Sequence, residues 1–529
     1  MIRVIAPGSS QTAQQVVVSA LTRSCGFGGV TTASFTDLMR GDANQIWVII
    51  NPLPQWSHYI GLLLSRRSKL LLLGRLPPAL AACVGAEIRP ASLALKEAAA
   101  CAPAPIHGFS HSPAYITYRP ETTSEICGGA PIMASRPLRR YDFAAEWNNL
   151  GWGAINADGD MWSIAQELRT TPERVLASIR NAAEDQDFGA YAALWMNDKA
   201  SALWFNRPVG PVDSNEWRHV EDFMSCHRPD VLPCIPVLAE VPHGHTAAAT
   251  MRLDCDEDVE SARSLWMRYQ RLEVPLSLAL HSSILTNERQ HALPGQVQAS
   301  GGAILSHTAT HAPNWGGSWE GAHTEGAVSI HDIRHHTGLD VRYAVSPFHH
   351  TPSYARLGLA DAGFLGCIGG IICNDPDFLM ARSGVPVGSP AGFIGHSQQC
   401  MLHGDCLLHD EADPLRIYKQ AADEARAAGT FFGYLDHPFS DRYQYGWASE
   451  EQRGQAHEDL VRHLQQTPDL LFANEDQAMD FLHDRAHVRI ARGNRQGWRL
   501  RRHGRLSPWP VAVRYQGEVT PLETEVTLS

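Results

Sequence analysis

The chain has 529 residues, 44% of them hydrophobic and 19% charged, which fits a globular protein too long for one ordinary core. Two to four domains are expected, one of them large enough to be a barrel of about 250 residues. A net charge of −12 and a pI near 6.1 argue against a general nucleic-acid or anionic-membrane surface and leave a small-molecule or carbohydrate partner as the better match.

The opening residues, MIRVIAPGSSQTAQQ, carry no apolar core of a signal peptide and no small-residue cleavage site, so no secretory signal is read and a cytoplasmic location is expected. The most apolar nearby stretch, YIGLLLSRRSKLLLLG, is cut by Arg66, Arg67 and Lys69. It falls short of the roughly 20 uninterrupted residues of a membrane helix and reads as a helix followed by a buried strand. The 11 cysteines are odd in number and lack CxxC spacing, which fits reduced thiols.

Residues 1–130 alternate short apolar runs (IRVIAP, QIWVIINP, LLLLG) with helical patterns such as QTAQQVVVSALTRS, the signature of a small doubly wound α/β domain, Rossmann- or flavodoxin-like. The glycine-rich CGFGGV follows a helix rather than a strand, so it reads as a turn rather than a phosphate loop. Residues 131–248 read as an α+β continuation or a second module, with hairpin signals at Ala157-Asp158-Gly159 and around Asn197-Asp198 in AALWMNDKASALWF. Trp147, Trp152, Trp162, Trp195, Trp204 and Trp217 could form a sugar-stacking surface, but core packing is the simpler reading.

From 249 to about 485 the pattern becomes regular. TMRLDCD, VPLSLALH, AILSH, VRYAVSPF, FLGCIGGI, CMLHGD and FFGYLDH are strand-like runs separated by helical stretches and by a long loop-like insert ending near residue 399. Some seven β-then-α units imply a parallel sheet closed into a distorted (β/α) barrel. The last residues, 486–529, alternate as a small β module.

In such a barrel the strand C-termini converge on one face. Asp254 and Asp256 end the first strand, His307 the third, Phe348 and His349 the fourth, and His437 the seventh. Strand alternation puts Asp254 and Asp256 on one side and Cys255 on the other. His307 and His311, four residues apart in LSHTATHAPNWGG, can aim both imidazoles at one point. Two imidazoles and one carboxylate are a common ligand set for a divalent ion, with Asp254 or Asp256 as the third ligand. The other carboxylate then stays free to take a proton from a water acidified by the ion, and His437 can protonate the leaving group. Such a set suits hydrolysis of an amide or ester. Alone, HxxxH in a chain with 26 histidines, or an acidic run such as DCDED, is as compatible with a core pair or a solvated loop; their joint placement at strand ends favours the metal site.

With these residues in place, the barrel resembles the polysaccharide deacetylases of carbohydrate esterase family 4, the NodB-homology domain, over about residues 249–485. MRLDCDED is similar to that family's acidic motif with one residue inserted, HTATH to its His-(Ser/Thr)-x-x-His motif, SPFHHTPSYARLGLADAGF to its third motif, and YLDHPF to its late Leu-x-His. The resemblance implies Asp254 as general base; Asp256, His307 and His311 as metal ligands; Pro347, Phe348 and His349 in the substrate-binding third motif; Leu435 lining the acyl pocket; and His437 as general acid. DCDED also allows Asp256 as base and Asp258 as ligand. The third motif has Val345 where the family carries the arginine that steadies the base, with Arg342 nearby, and no clear tryptophan motif of the substrate groove appears. His396, His403 and Asp405 occupy the region where that motif would fall, and Asn314 and Trp315 on the APNWGG turn are candidates for substrate contact at the pocket rim.

The expected function is therefore metal-dependent N-deacetylation of an amino sugar, with Zn, Co or Ni as the divalent ion. The carbohydrate substrate would carry an N-acyl group, as a polymer or as a lipid- or nucleotide-linked precursor, and the latter fits a chain without an export signal. A lipid-linked precursor would imply peripheral membrane association; no nucleic acid is expected, and the oligomeric state is open. The alternatives are a related hydrolase of another amide, formyl or O-acyl group, or a catalytically weakened carbohydrate-binding or assembly protein.

Overall fold

A computed structural model of the protein describes residues 1–100, 114–127, 135–138, 161–181, 186–211, 214–369, 382–396, 400–405, 412–493 and 497–528. The hairpin expected at residues 157–159, together with Trp147, Trp152 and most of the insert before residue 399, lies outside them.

The N-terminal strands Val30–Thr32, Ile2–Ile5, Gln45–Ile50 and Ser68–Leu73 are parallel neighbours in that order. Their alternating side chains feed two cores. Val4, Val48 and Leu71 pack with the helix Gln11–Cys25 on one face, and Trp47, Ile49 and Leu72 pack with the helix Ser57–Leu64 on the other. One helix on each face of a parallel sheet is the doubly wound arrangement. The basic-flanked apolar run is the helix Ser57–Leu64 followed by the fully buried strand Ser68–Leu73. No helix among the described residues is long and apolar enough to cross a membrane.

The sheet continues beyond residue 130. Ala200–Phe205 adds in parallel to Ser68–Leu73, and Gln186–Met196, Val175–Asn181, Tyr115–Tyr118 and Ser135–Pro137 extend it antiparallel, giving nine strands. The hairpin at Asn197-Asp198 forms as read, its turn held by Asn197 Oδ1, which accepts from the amides of Lys199 and Ala200. Trp162, Trp195, Trp204 and Trp217 are all buried and serve as core. In CGFGGV, Gly26 and Gly28 take positive φ, and Phe27 bridges to Arg489, so the segment is a turn whose backbone pairs with the C-terminal tail.

The barrel strands, all parallel, are Ala247–Cys255, Ser277–Leu280, Ile304–Ser306, Tyr343–Val345, Gly366–Ile368 and Ile394–His396, then Cys400–Met401 and Phe431–Asp436. Ile394–His396 pairs with the fifth strand and Cys400–Met401 with Phe431–Asp436, which in turn pairs with the first. Only three residues separate the two short strands, a reach of at most roughly 14 Å, so the sheet has to curl until its edges meet. The result is a distorted (β/α) barrel in which Ile394–His396 and Cys400–Met401 lie between the fifth strand and Phe431–Asp436.

The tail forms two three-stranded sheets. Val511–Tyr515 pairs with Val237–Pro242, just before the barrel, and with Glu518–Leu522; Val488–Arg492, Trp498–Arg502 and Glu525–Leu528 form the other. The thiols depart from the expectation in one place: Cys226 is disulfide-bonded, whereas Cys25, Cys83, Cys234, Cys255, Cys367 and Cys400 are free. Disulfides persist in oxidising compartments, so the cysteine pattern no longer supports a cytoplasmic location.

Candidate metal centre at the barrel mouth

The first barrel strand ends at Cys255 and delivers Arg252, Asp254 and Asp256 to one side. The third strand ends at Ser306, and the chain turns sharply: Thr308 and His311 take φ of 71° and 54°, and for β-branched Thr308 this is a strained conformation. Two devices hold the turn. His311 N donates to Thr308 Oγ1, and the buried Glu325 carboxylate, on the helix Trp319–Thr337, accepts from the amides of Ala309 and Thr310. His307 and His311 therefore meet through a turn, not along a helix, with their Nε2 atoms 3.2 Å apart.

His307 Nδ1 lies 3.2 Å from the Val345 carbonyl, which can only accept, so in the neutral ring Nδ1 carries the proton and Nε2 a lone pair. That lone pair faces His311 Nε2, Asp256 Oδ1 at 3.3 Å and Asp254 Oδ2 at 4.0 Å; His311 Nε2 is 3.7 Å from Asp256 Oδ2. Asp256 Oδ1 is buried and accepts no well-formed hydrogen bond. Acceptors facing acceptors in a buried site are costly unless a proton or cation sits among them. Asp256, His307 and His311 form a group with ligand atoms all within 4.8 Å of one another, and this donor set fits a divalent ion. Asp258 lies apart, its Oδ1 accepting from Glu260 N, so the geometry gives no support to the register with Asp258 as ligand.

Burial alone would lower the His307 pKa, but Asp254 and Asp256 outweigh it and raise it, so a proton and a cation compete for the same Nε2 lone pair. Burial, with help from His307, lowers His311 to about 4 and keeps it neutral and able to ligate at neutral pH. Asp256 resists the upward push of burial because His307, His437 and His311 hold it well below the ordinary carboxylate range.

His437 follows the strand Phe431–Asp436, with Nε2 3.6 Å from Asp256 Oδ2 and its ring stacked on Tyr443 at 4.3 Å. Burial lowers its pKa despite Asp256 and Asp254. Leu435 is buried and stands opposite Arg252 in the strand register, hence on the inward face. Pro347 and His349 are buried, whereas Phe348 is 46% exposed and tilts over His311 at 4.7 Å. Phe348 and His349 both have positive φ, a second strained turn beside the histidines, and burial lowers His349 to about 3.

Asn314 is exposed, its Oδ1 2.9 Å from His350 Nδ1. Trp315 is fully buried, its indole donating to the His350 carbonyl, so it presents no face to a ligand and instead ties the third-strand loop to the fourth. His403 packs at a tilt against Tyr445, ring centroids 4.2 Å apart, and contacts Asp405, while His396 is buried in the barrel. Three contributors were absent from the sequence reading. Tyr443 OH donates to Asp256 Oδ2 at 2.6 Å, His281 Nδ1 donates to the Asp256 carbonyl at 3.1 Å, and Arg252 contacts Asp254. Only Arg252 had a signal, the same i, i+2 alternation that pairs the two aspartates.

No protein-family model matches the chain, and no curated protein does. Solved structures similar to it include a putative polysaccharide deacetylase from Mycobacterium smegmatis (14% identity, TM-score 0.36, covering 46% of this chain and 93% of that one). Agd3, described as a novel carbohydrate deacetylase, is similar over 100% of this chain and 98% of its own, at 12% identity and TM-score 0.39. A family 4 pseudoenzyme from Bacillus anthracis is similar at 13% identity and TM-score 0.30, over 46% of this chain and 66% of its own. At these values the functional reading rests on the site itself.

Proposed function

We propose that the chain is a metal-dependent N-deacetylase acting on an N-acetylated amino sugar, in a polymer or its precursor. The observation that carries this is the convergence of the His307, His311 and Asp256 acceptors, with a second carboxylate, Asp254, left beside them. Asp256, His307 and His311 would hold the ion, which when bound acidifies water and polarises an acyl carbonyl. Asp254 takes the proton of the attacking water at its carboxylate. His437, on the other side of Asp256, delivers a proton to the amine nitrogen as the C–N bond breaks. Tyr443 fixes the Asp256 carboxylate and packs against His437, which aligns ligand and acid together. Leu435 offers an apolar wall for the acetyl methyl, and exposed Phe348 an aromatic face for a sugar ring.

The test is acetate release from N-acetylated amino-sugar oligomers by protein loaded with Zn, Co or Ni, alongside measured metal content. Stoichiometric metal with acetate release that chelation abolishes is the expected result. Metal-loaded protein that releases acetate only from O-acetylated sugars would move the reading to an esterase, and protein that binds none of these metals would sink it.

A further inference from the structure

Val345 occupies the position where an arginine was expected to steady the base, and the neighbouring candidate, Arg342, is committed elsewhere. It is 40% exposed and pairs with Asp480 at 2.8 Å on the outer side of the barrel. A general base nonetheless has to be held, because a carboxylate free to rotate about its χ angles loses the near-attack geometry that proton transfer needs. The residue that meets Asp254 comes from its own strand.

Arg252 Nε donates to Asp254 Oδ1 at 2.8 Å and Nη2 to Oδ2 at 3.4 Å, a side-on fork, with both side chains essentially excluded from solvent (0% and 1%). Two residues along a strand span about 6.6 Å on one face, a gap a guanidinium bridges when it lies along the strand. The other acid near Arg252, Glu475, is 3.9 Å from Nη1; burial raises its pKa to about 7, and its carboxylate oxygens accept no well-formed hydrogen bond. Among the described residues the closer ion pair of Arg252 is thus the one with Asp254, at 2.8 Å against 3.9 Å for Glu475. Val345, relieved of that duty, uses its backbone carbonyl to orient His307.

We infer that Arg252 is the positioning residue for the general base, a tether supplied within the first barrel strand in place of one from the fourth. This rests on the deacetylase reading and sharpens it: base and tether sit on one rigid element, so the alignment of Asp254 does not depend on the strained loop that carries Phe348 and His349.

The test compares Arg252→Lys, which keeps the charge but loses the fork, with Glu475→Gln, which alters the same buried cluster without touching Asp254. Arg252→Lys should lower kcat about 10²-fold while KM stays within about threefold and metal content is unchanged; Glu475→Gln should leave kcat within about twofold. A kcat within threefold of wild type in Arg252→Lys, or a loss that tracks folded fraction or metal content, overturns the inference. Crystal structures of metal-loaded wild type and Arg252→Lys decide independently of turnover. The Asp254 carboxylate should rotate out of its line with residue 252 in the variant, and an unmoved carboxylate overturns the tether. A wild type inactive on N-acetylated sugars would instead sink the deacetylase reading and leave this second arm standing.

Discussion

Two buried ionic clusters in this protein use similar residue types to opposite ends. At the junction of the N-terminal sheet, barrel and tail, Glu221 receives both arms of Arg382 (2.9 and 2.8 Å), Arg514 and the Ser24 hydroxyl, and Asp222 receives Arg514 and Arg218. Every carboxylate there meets a donor. At the barrel mouth, Asp256, His307 and His311 present acceptors to one another. The contrast separates a cluster whose carboxylates are met by donors already present from one in which the buried Asp256 Oδ1 accepts no well-formed hydrogen bond.

Substitutions can break this contrast from either side. The largest effect is expected from Asp256→Asn, which should cost bound metal and more than about 10³-fold in turnover while leaving the urea midpoint of the metal-free protein near wild type; metal analysis, acetate release and denaturant titration check this. Asp254→Asn should retain metal yet lose on the order of 10²–10⁴-fold in kcat, and near-native rates would remove it as the base. At the junction the loss should appear in stability instead. Glu221→Gln leaves Arg382 and Arg514 underpaired in the interior and should cost about 3–5 kcal/mol in urea unfolding, with turnover per folded molecule unchanged.

The junction also makes a pH prediction. Burial would raise Glu221, but Arg382 and Arg514 outweigh it and lower its pKa from 4.5 to about 2. A lowered carboxylate pKa stabilises the fold above the unfolded value and loses that contribution as pH falls, so roughly 3 kcal/mol should disappear between about pH 5 and pH 2 in wild type and not in Glu221→Gln. The smallest effect is expected from Tyr443→Phe, which removes the hydrogen bond to Asp256 but not the packing on His437. A 10–100-fold weakening of metal affinity, measured by competition with a chelator, is the expected outcome.

The barrel and most of its mouth were legible because strand periodicity and strand-end position are local properties. Once Asp254, Asp256, His307 and His437 are placed at strand ends, their convergence follows from the architecture. What escaped depends on long-range pairing or on loop paths. Pairing of Ser68–Leu73 with Ala200–Phe205 joins segments more than a hundred residues apart, and no local pattern encodes that choice of neighbour. Tyr443 reaches Asp256 from a loop with no periodicity to place it, and Glu325 holds the HTATH turn from a helix whose register against that turn only packing decides. Trp315 is a candidate for substrate contact in sequence because Pro, Asn and Gly around it mark a turn at the pocket rim. Those residues do make a turn, with Asn314, Trp315, Gly316 and Gly317 all at positive φ, but the turn points the indole inward. Arg252 shares the alternation that pairs the two aspartates, but alternation gives only the face of the strand and not which of the carboxylates there the guanidinium reaches.

The C-terminal tail closes contacts across nearly the whole chain: Phe27 with Arg489, and Asp222 with Arg514, 292 residues away. During synthesis, the residues of the barrel mouth, 252 to 445, all leave the ribosome before the strands that seal the junction exist. The barrel mouth is thus fully synthesised while the N-terminal sheet still shows the surface its last partner will cover. A chain ending at Arg489 would hold every candidate catalytic group and keep the Phe27 bridge, yet lack Arg514 and the strands Trp498–Arg502 and Val511–Tyr515.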